Sequence, residues 1–190
     1  MILSDRAIKS LLDSGKIMVN PDVQEKDIRA VGIRLHLGHE LLISGPNQTI
    51  DLENPEEINY ERVKIPKEGF LLKPGMFVLG STHEKFMLPK NIIGKLDGRS
   101  TVARIGLLIH CSSDTIDGNH DEPRSVVLEM KNIGTFNIIL REEMPVAMLV
   151  LNQLTDDIQQ KSQSQYRNQE SAEPPNVNYP PLKWRASGTS

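Results

Sequence analysis

Hydrophobic positions along this chain come in short runs, and their period changes once, near the N-terminus. In "MILSDRAIKSLLDSGK", Ile8, Leu11 and Leu12 recur at helical spacing, Ser4 stands at the N-cap position and Gly15 follows the stripe. That spacing predicts a short amphipathic helix. Beyond it the runs shorten and begin to alternate: "KIMVNP", "IRLHLG", "HELLIS", "GFLLKPGMFVLGSTHEKFMLP", "GLLIHCSS", "SVVLEMKN", "FNIILRE" and "VAMLVLNQL", punctuated by Gly, Pro, Asn and Asp. Many short strands at close spacing predict an all-β sandwich or barrel. One internal helix, of about two turns, is predicted at "STVARIG". From Asp156 the chain turns polar and Gln/Ser-rich and ends in "SAEPPNVNYPPLKWRASGTS". Such a segment cannot build a core, and it reads as an arm or disordered tail. The chain therefore divides into a β domain over 1–155 and a C-terminal arm over 156–190, with no internal repeat at a solenoid or propeller period.

Composition narrows the function classes. A length of 190 residues suits one domain with a tail and is enough to bury a core. The formal charge is −3, so no general nucleic-acid surface is advertised, although a local anion site is compatible with it. The single cysteine, Cys111, excludes a disulfide framework and a clustered thiolate metal site within one chain, and fits a reducing compartment. The N-terminus is charged by its fifth residue, which is unlike a signal peptide, and no apolar run reaches membrane-spanning length. These features predict a cytoplasmic protein with neither a membrane nor a polynucleotide as partner.

The candidate chemistry begins at "KLDGRSTVARIGLLIHCSSDTIDG", residues 95–118. Gly98 permits a tight turn, and Ser100 suits the N-cap of the helix that follows. A helix N-terminus favours phosphate, and Arg99 adds a planar fork of donors beside it. Arg104, four residues after Ser100, returns to the same helix face. Taken alone, Gly-Arg-Ser reads equally well as a capped surface helix with two solvated arginines. In "SVVLEMKN", however, Val127 and Glu129 share one strand face while Val126, Leu128 and Met130 share the other. A lone Glu among apolar neighbours needs a partner or a task; the plain alternative is a strand-edge Glu paired with a surface Lys or Arg.

"LDGRSTVARIGLLIH", then "IDG", "VVLEMKN" and "QYRNQ", together with the opening "MILSDRAIKSLLDSGKI", closely resemble, in this order, the dCTP deaminase branch of the dUTPase-like superfamily. The resemblance covers most of residues 1–170. It implies a distorted β-barrel of jelly-roll-like, dUTPase type that assembles as a homotrimer, with active sites shared between neighbouring subunits. It implies that Arg99, Ser100 and Thr101 contact the triphosphate or sit beside it. Glu129 matches the catalytic glutamate, and Ser100 and Arg104 match the residues that hold the attacking water and support the reaction centre. Ser113 matches a backbone carbonyl that fixes that water, Asp117 the aspartate under the deoxyribose, and Val127 lies beside the substrate on the Glu129 face. Gln169 matches a residue of the arm, near 165–170, that closes over the nucleotide. The implied reaction is hydrolytic deamination of dCTP to dUTP and ammonia. In it, one carboxylate takes a proton from water and returns protons to N3 and the leaving amine. Most nucleobase deaminases use zinc on a His/Cys/Cys set. This chain has no C-x-x-C, and "HE" at His39 and Glu40 has no thiolate partners and reads as surface. The expectation is no zinc and no tightly bound cofactor, with Mg2+ accompanying the triphosphate.

The chain also departs from the family pattern. "GIRLHLG" puts Arg34 where an Asp is usual and His36 where an Arg is usual; Arg34 either compensates at the phosphate end or forms a buried ion pair. The loop "GNHDEPR" after Asp117 is longer and lacks an aromatic. Gln165 replaces an expected Lys, and Ile158 falls near an expected Tyr. Three other readings therefore stand beside the deaminase: a bifunctional enzyme giving dUMP and pyrophosphate, a dUTP pyrophosphatase, and a non-catalytic nucleotide-binding homologue. Glu129 with Ser100 and Arg104 favours deamination. "SSDTIDG" without Ala-Gly, and Met148 where some bifunctional relatives carry Gln, favour the single reaction. Of the remaining candidates, His110 reads as a satisfied near-core histidine and Cys111 as a small apolar filler. His120 reads as an exposed loop histidine or a substitute for the missing aromatic, and Trp184 as a docking or mobile tail residue.

Overall fold

The computed structural model describes residues 1–51, 58–159 and 170–176. The N-terminal helix α1 (Asp5–Asp13) forms where the spacing predicts it, and buries Ile8 completely. Ser4 sits at its N-cap, but its side chain makes no capping bond. Gly15, at φ 66°, ends the helix by donating from its N–H to the Leu12 carbonyl, a left-handed turn that glycine adopts without strain.

Strands follow in quick succession: β1 (Met18–Asn20), β2 (Ile28–Arg29), β3 (Gly32–His36), β4 (Glu40–Ser44), β5 (Tyr60–Lys64), β6 (Phe70–Leu72) and β7 (Phe77–Ser81). After β8 (Lys85–Met87) and β9 (Ile92–Gly98) comes the short helix α2 (Ser100–Ala103), and then β10 (Leu107–Leu108) and β11 (Thr115–Ile116). The series closes with β12 (Val127–Asn132), β13 (Ile138–Leu140) and β14 (Pro145–Gln153). All recorded pairings are antiparallel. One five-stranded sheet runs β10-β12-β7-β4-β5 and the other β11-β9-β14-β3-β2, with two-stranded ribbons β1-β8 and β13-β6.

The period-two pattern decides which side chains these sheets bury. Leu128 and Met130 point inward from β12, Leu149 and Leu151 from β14, Leu35 from β3 and Leu41 from β4, all into one continuous core. Both large sheets contribute to it, so they enclose the core between them as a jelly-roll-like sandwich, and the hydrogen bonding of the described residues does not run round into a closed barrel. The buried Asn132 fits because its side chain is fully occupied. Its amide donates to the Leu72 and Phe136 carbonyls at 3.0 and 2.7 Å, and its oxygen accepts from the Gly134 N–H at 3.0 Å.

Two elements differ from the pattern's expectation. β5 was not legible as a strand because it is an edge strand paired only with β4, and Glu61 and Arg62 are exposed. The C-terminal segment is not simply a tail. Residues 170–176 return to the β domain, where Ala172 is completely buried against Leu42 and Leu79. Arg62 fixes them there, donating to the Ala172 carbonyl and the Ser171 hydroxyl, both at 3.1 Å. The pattern missed this because one small residue in a polar stretch carries no periodic signal.

Candidate active site

Glu129 stands near the middle of β12, between the buried Leu128 and Met130, and is itself half-buried. With Val127 it faces away from the core into a cavity of about 420 Å³. Its Oε2 accepts from the Cys111 backbone N–H at 3.0 Å. That bond joins β12 to the loop leading to β11; this loop brings Ser113 to the cavity wall, and Asp117 reaches the wall just past the end of β11. The structure therefore brings together four of the sequence-assigned residues: Val127, Glu129, Ser113 and Asp117.

The other cluster lies elsewhere on the chain. Arg99, with extended backbone, occupies the N-cap of α2, and Ser100 is the first helical residue, so Ser100 does not act as the cap. α2 spans only four residues, less than the two turns expected. Ser100, Thr101 and Arg104 are exposed, and neither they nor Arg99 line the Glu129 cavity. Arg99 donates through Nη1 to the Pro145 carbonyl at 2.5 Å. Burial first, and then the Arg34 and Arg29 charges, push its guanidinium below the usual arginine range. Gln169 and Gln165 lie outside the described residues, as does Trp184.

Several plain readings need correction. Cys111 is exposed rather than an apolar filler; partial desolvation of its thiol, and next the Glu129 carboxylate, push the thiol up. The Nδ1 of His110 is buried and has no hydrogen-bond partner among the described residues, so this histidine is not satisfied. His120 is half-buried rather than exposed, with Nε2 2.5 Å from Nη2 of Arg124. Glu40 is largely covered and pairs with Arg62 at 2.9 Å. For Arg34 the structure takes one of the two alternatives the sequence left open: it forms an ion pair with the buried Asp27 at 3.2 Å.

Sequence reasoning missed further lining residues: Tyr60 and Phe77 from β5 and β7, Arg124 from the loop after Asp117, and Glu173 from the returning C-terminal segment. Only the unusual loop composition around Arg124 offered a signal. The rest come from strands whose alternation says which face is exposed, not what that face meets. Among the described residues, no cluster of three or more His, Cys, Asp or Glu side chains could hold a metal ion, and no helix is long and apolar enough to cross a membrane.

The dCTP deaminase-like family model matches residues 2–154. The dCTP deaminase of Buchnera aphidicola subsp. Schizaphis graminum is 31% identical over 193 residues, covering 93% of this chain and 98% of that protein. That of Psychromonas ingrahamii is 37% identical over 160 residues, covering 78% and 81%. Among solved structures, the 2'-deoxycytidine 5'-triphosphate deaminase of Agrobacterium tumefaciens superposes with a TM-score of 0.60 at 18% identity, a likeness of fold. The match covers 79% of this chain and 47% of that one, so the chain spans about half the length of that protein.

Proposed function

Because the chain belongs to the dCTP deaminase-like family, we propose that it hydrolyses the C4 amino group of dCTP, releasing dUTP and ammonia. The observation that carries this reading is the placement of Glu129: a half-buried carboxylate, flanked by core residues, facing a nucleotide-sized cavity shared with Ser113 and Asp117. Water adds to C4 as its proton passes to the Glu129 carboxylate. The proton moves to N3, the second proton from the added hydroxyl reaches the amine, and the C4–N bond breaks to leave the uracil carbonyl and ammonia. The Cys111 N–H holds Oε2, which leaves Oε1 to face the water.

Ser100, Thr101 and Arg104 take part through assembly. They are exposed on α2 and at its C-cap and absent from the cavity wall, so a neighbouring copy in a homotrimer supplies them, and Arg99 with them, to the phosphates and the reaction centre. The arm around 165–170 closes over the nucleotide through Gln169. The nucleotide is a free triphosphate, and the protein works in the cytoplasm. The reaction runs without zinc, a reading supported by the chain's single cysteine. Mg2+ accompanies the triphosphate by neutralising its charge.

Incubation of the pure protein with dCTP and Mg2+, followed by separation of products, tests the assignment. dUTP with ammonia is the expected result. dUMP with pyrophosphate would make the protein bifunctional, and unchanged dCTP would remove the deaminase reading. Activity should persist after dialysis against a strong zinc chelator and return to Mg2+ buffer. Loss of turnover restored by zinc alone would overturn the mechanism.

A further inference from the structure

The loop after Asp117 is fastened at several points. The Asn119 and His120 N–H groups donate to the Leu88 carbonyl at 3.0 and 3.3 Å, and Arg124 exchanges backbone hydrogen bonds with Phe86 in both directions. Gly118 has no room for a side chain: a Cβ there would lie 2.2 Å from the Ile92 carbonyl oxygen and 2.3 Å from that of Pro89. The loop therefore has a fixed path, and it delivers Arg124 to the wall of the Glu129 cavity.

The Arg124 guanidinium is held there by the His120 ring, whose Nε2 lies 2.5 Å from Nη2. Burial first, and then the Arg124 charge, push His120 down to about 4. Near neutral pH the ring is thus uncharged, and its Nε2 accepts from the guanidinium rather than repelling it. Arg124 is the only cationic side chain among the described lining residues, facing Asp117, Glu129 and Glu173. A cavity with three carboxylates repels a polyanion unless a cation meets it.

Position along the chain says which part of a ligand Arg124 meets. Arg124 and Glu129 lie on one run of chain, paired to Phe86 at one end and to Leu79 at the other; Ser125 and Val126 between them are not part of a strand, and this break in the alternation lets both side chains line the same cavity. Five residues of chain span at most about 16 Å, which keeps Arg124 within reach of the phosphates of a nucleotide whose base lies at Glu129. With the base at Glu129 and the sugar over Asp117, the phosphates lie at the Arg124 end. We propose that Arg124 binds the phosphate chain of the nucleotide from the same subunit as Glu129, and that His120 is its positioning residue. This inference rests on the deaminase reading of the cavity.

The test uses protein carrying Glu129→Gln, so that nucleotide is not consumed, with each further substitution added to it. Kd is measured for dCTP by calorimetry and for deoxycytidine, which has no phosphate, by ligand-observed NMR. Arg124→Gln should weaken dCTP at least tenfold and deoxycytidine less than threefold, and Arg124→Lys should fall between. His120→Leu should weaken dCTP about as much as Arg124→Gln, while His120→Gln, which keeps an acceptor, should restore binding to within threefold. Equal effects on dCTP and deoxycytidine, or no effect on either, would overturn the inference. Should Arg124→Gln fail to fold by circular dichroism, Arg124→Lys and His120→Leu decide: an unmoved ratio of the two affinities in both overturns it. Ammonia release from dCTP by the unaltered protein separates the two failures. If the unaltered protein deaminates dCTP and the ratio does not move, the inference alone falls. If it neither binds nor deaminates dCTP, the reading falls and takes the inference with it.

Discussion

Two cavities in this protein both contain carboxylates, and they treat them in opposite ways. In the smaller, of about 250 Å³, Asp27 and Glu84 are buried and answered by cations or potential cations. Arg34 pairs with Asp27 at 3.2 Å, and His36 meets Glu84 through both its backbone N–H, at 2.9 Å, and its Nδ1, at 2.5 Å. In the larger, Glu129 receives one backbone N–H at 3.0 Å, and its cavity is open to a ligand. A carboxylate whose lone pairs are occupied by fixed partners is structural. One left with capacity beside a cavity can exchange protons with what enters. The histidines divide in the same way: His36 lies against a carboxylate, His120 against a guanidinium.

The largest expected effect tests the larger cavity. Glu129→Gln preserves shape and the bond from Cys111 but removes the base. Since general acid–base catalysis is worth about a hundredfold to ten-thousandfold, ammonia release should fall by that much while dCTP still binds and the protein stays folded. Loss of binding together with the fold would make Glu129 structural, like Asp27, and erase the contrast.

The second prediction tests His120 by pH. The folded state holds His120 near 4, below its ordinary 6.5, so the unfolded chain binds the extra proton first. The stability from this group is complete above about pH 6.5 and is lost as pH falls toward 4, by about 2 kcal/mol once solvent screening of this partly exposed ring is allowed for. Urea unfolding across that window should show the decline, and His120→Gln should flatten it. An unchanged slope in the variant would place the acid sensitivity elsewhere.

Asp27→Ala probes the smaller cavity. It strips Arg34 of its carboxylate and should cost about 2 kcal/mol, at the low side for a buried pair because Arg34 keeps some solvent contact. Chemical denaturation measures it, and a change under ~0.5 kcal/mol would show the pair to be incidental. The smallest effect is at the cavity rim. Arg62→Ala removes the bonds to Ser171 and Ala172 and should cost about 1 kcal/mol, expressed as faster hydrogen exchange and proteolysis over 170–176 with the β domain unaffected. Uniform loosening of the whole chain would contradict that local role.

Much of this architecture was already written in the sequence. Alternation in "SVVLEMKN" placed Leu128 and Met130 on one face and Val127 and Glu129 on the other, because a strand's side chains leave it on opposite faces whatever it later pairs with. Helical spacing and Gly15 set α1 in the same local way. The motif order was sufficient to identify the family, and the resemblance named Ser113, Asp117 and Glu129, which the fold then brings to one cavity. Tertiary structure decided what these faces meet. Only packing revealed that Glu129 is held by the Cys111 amide, that His120 is tucked behind Arg124, and that Ala172 is buried beneath the cavity rim. Only packing separated α2 from that cavity and gave Arg34 to Asp27. Periodicity records which side of an element is apolar, and because the hydrophobic driving force is non-directional and scales with the apolar area removed from water, that side is buried whatever it packs against. Hydrogen bonds and ion pairs depend on distances between residues far apart in sequence, and no local pattern encodes them.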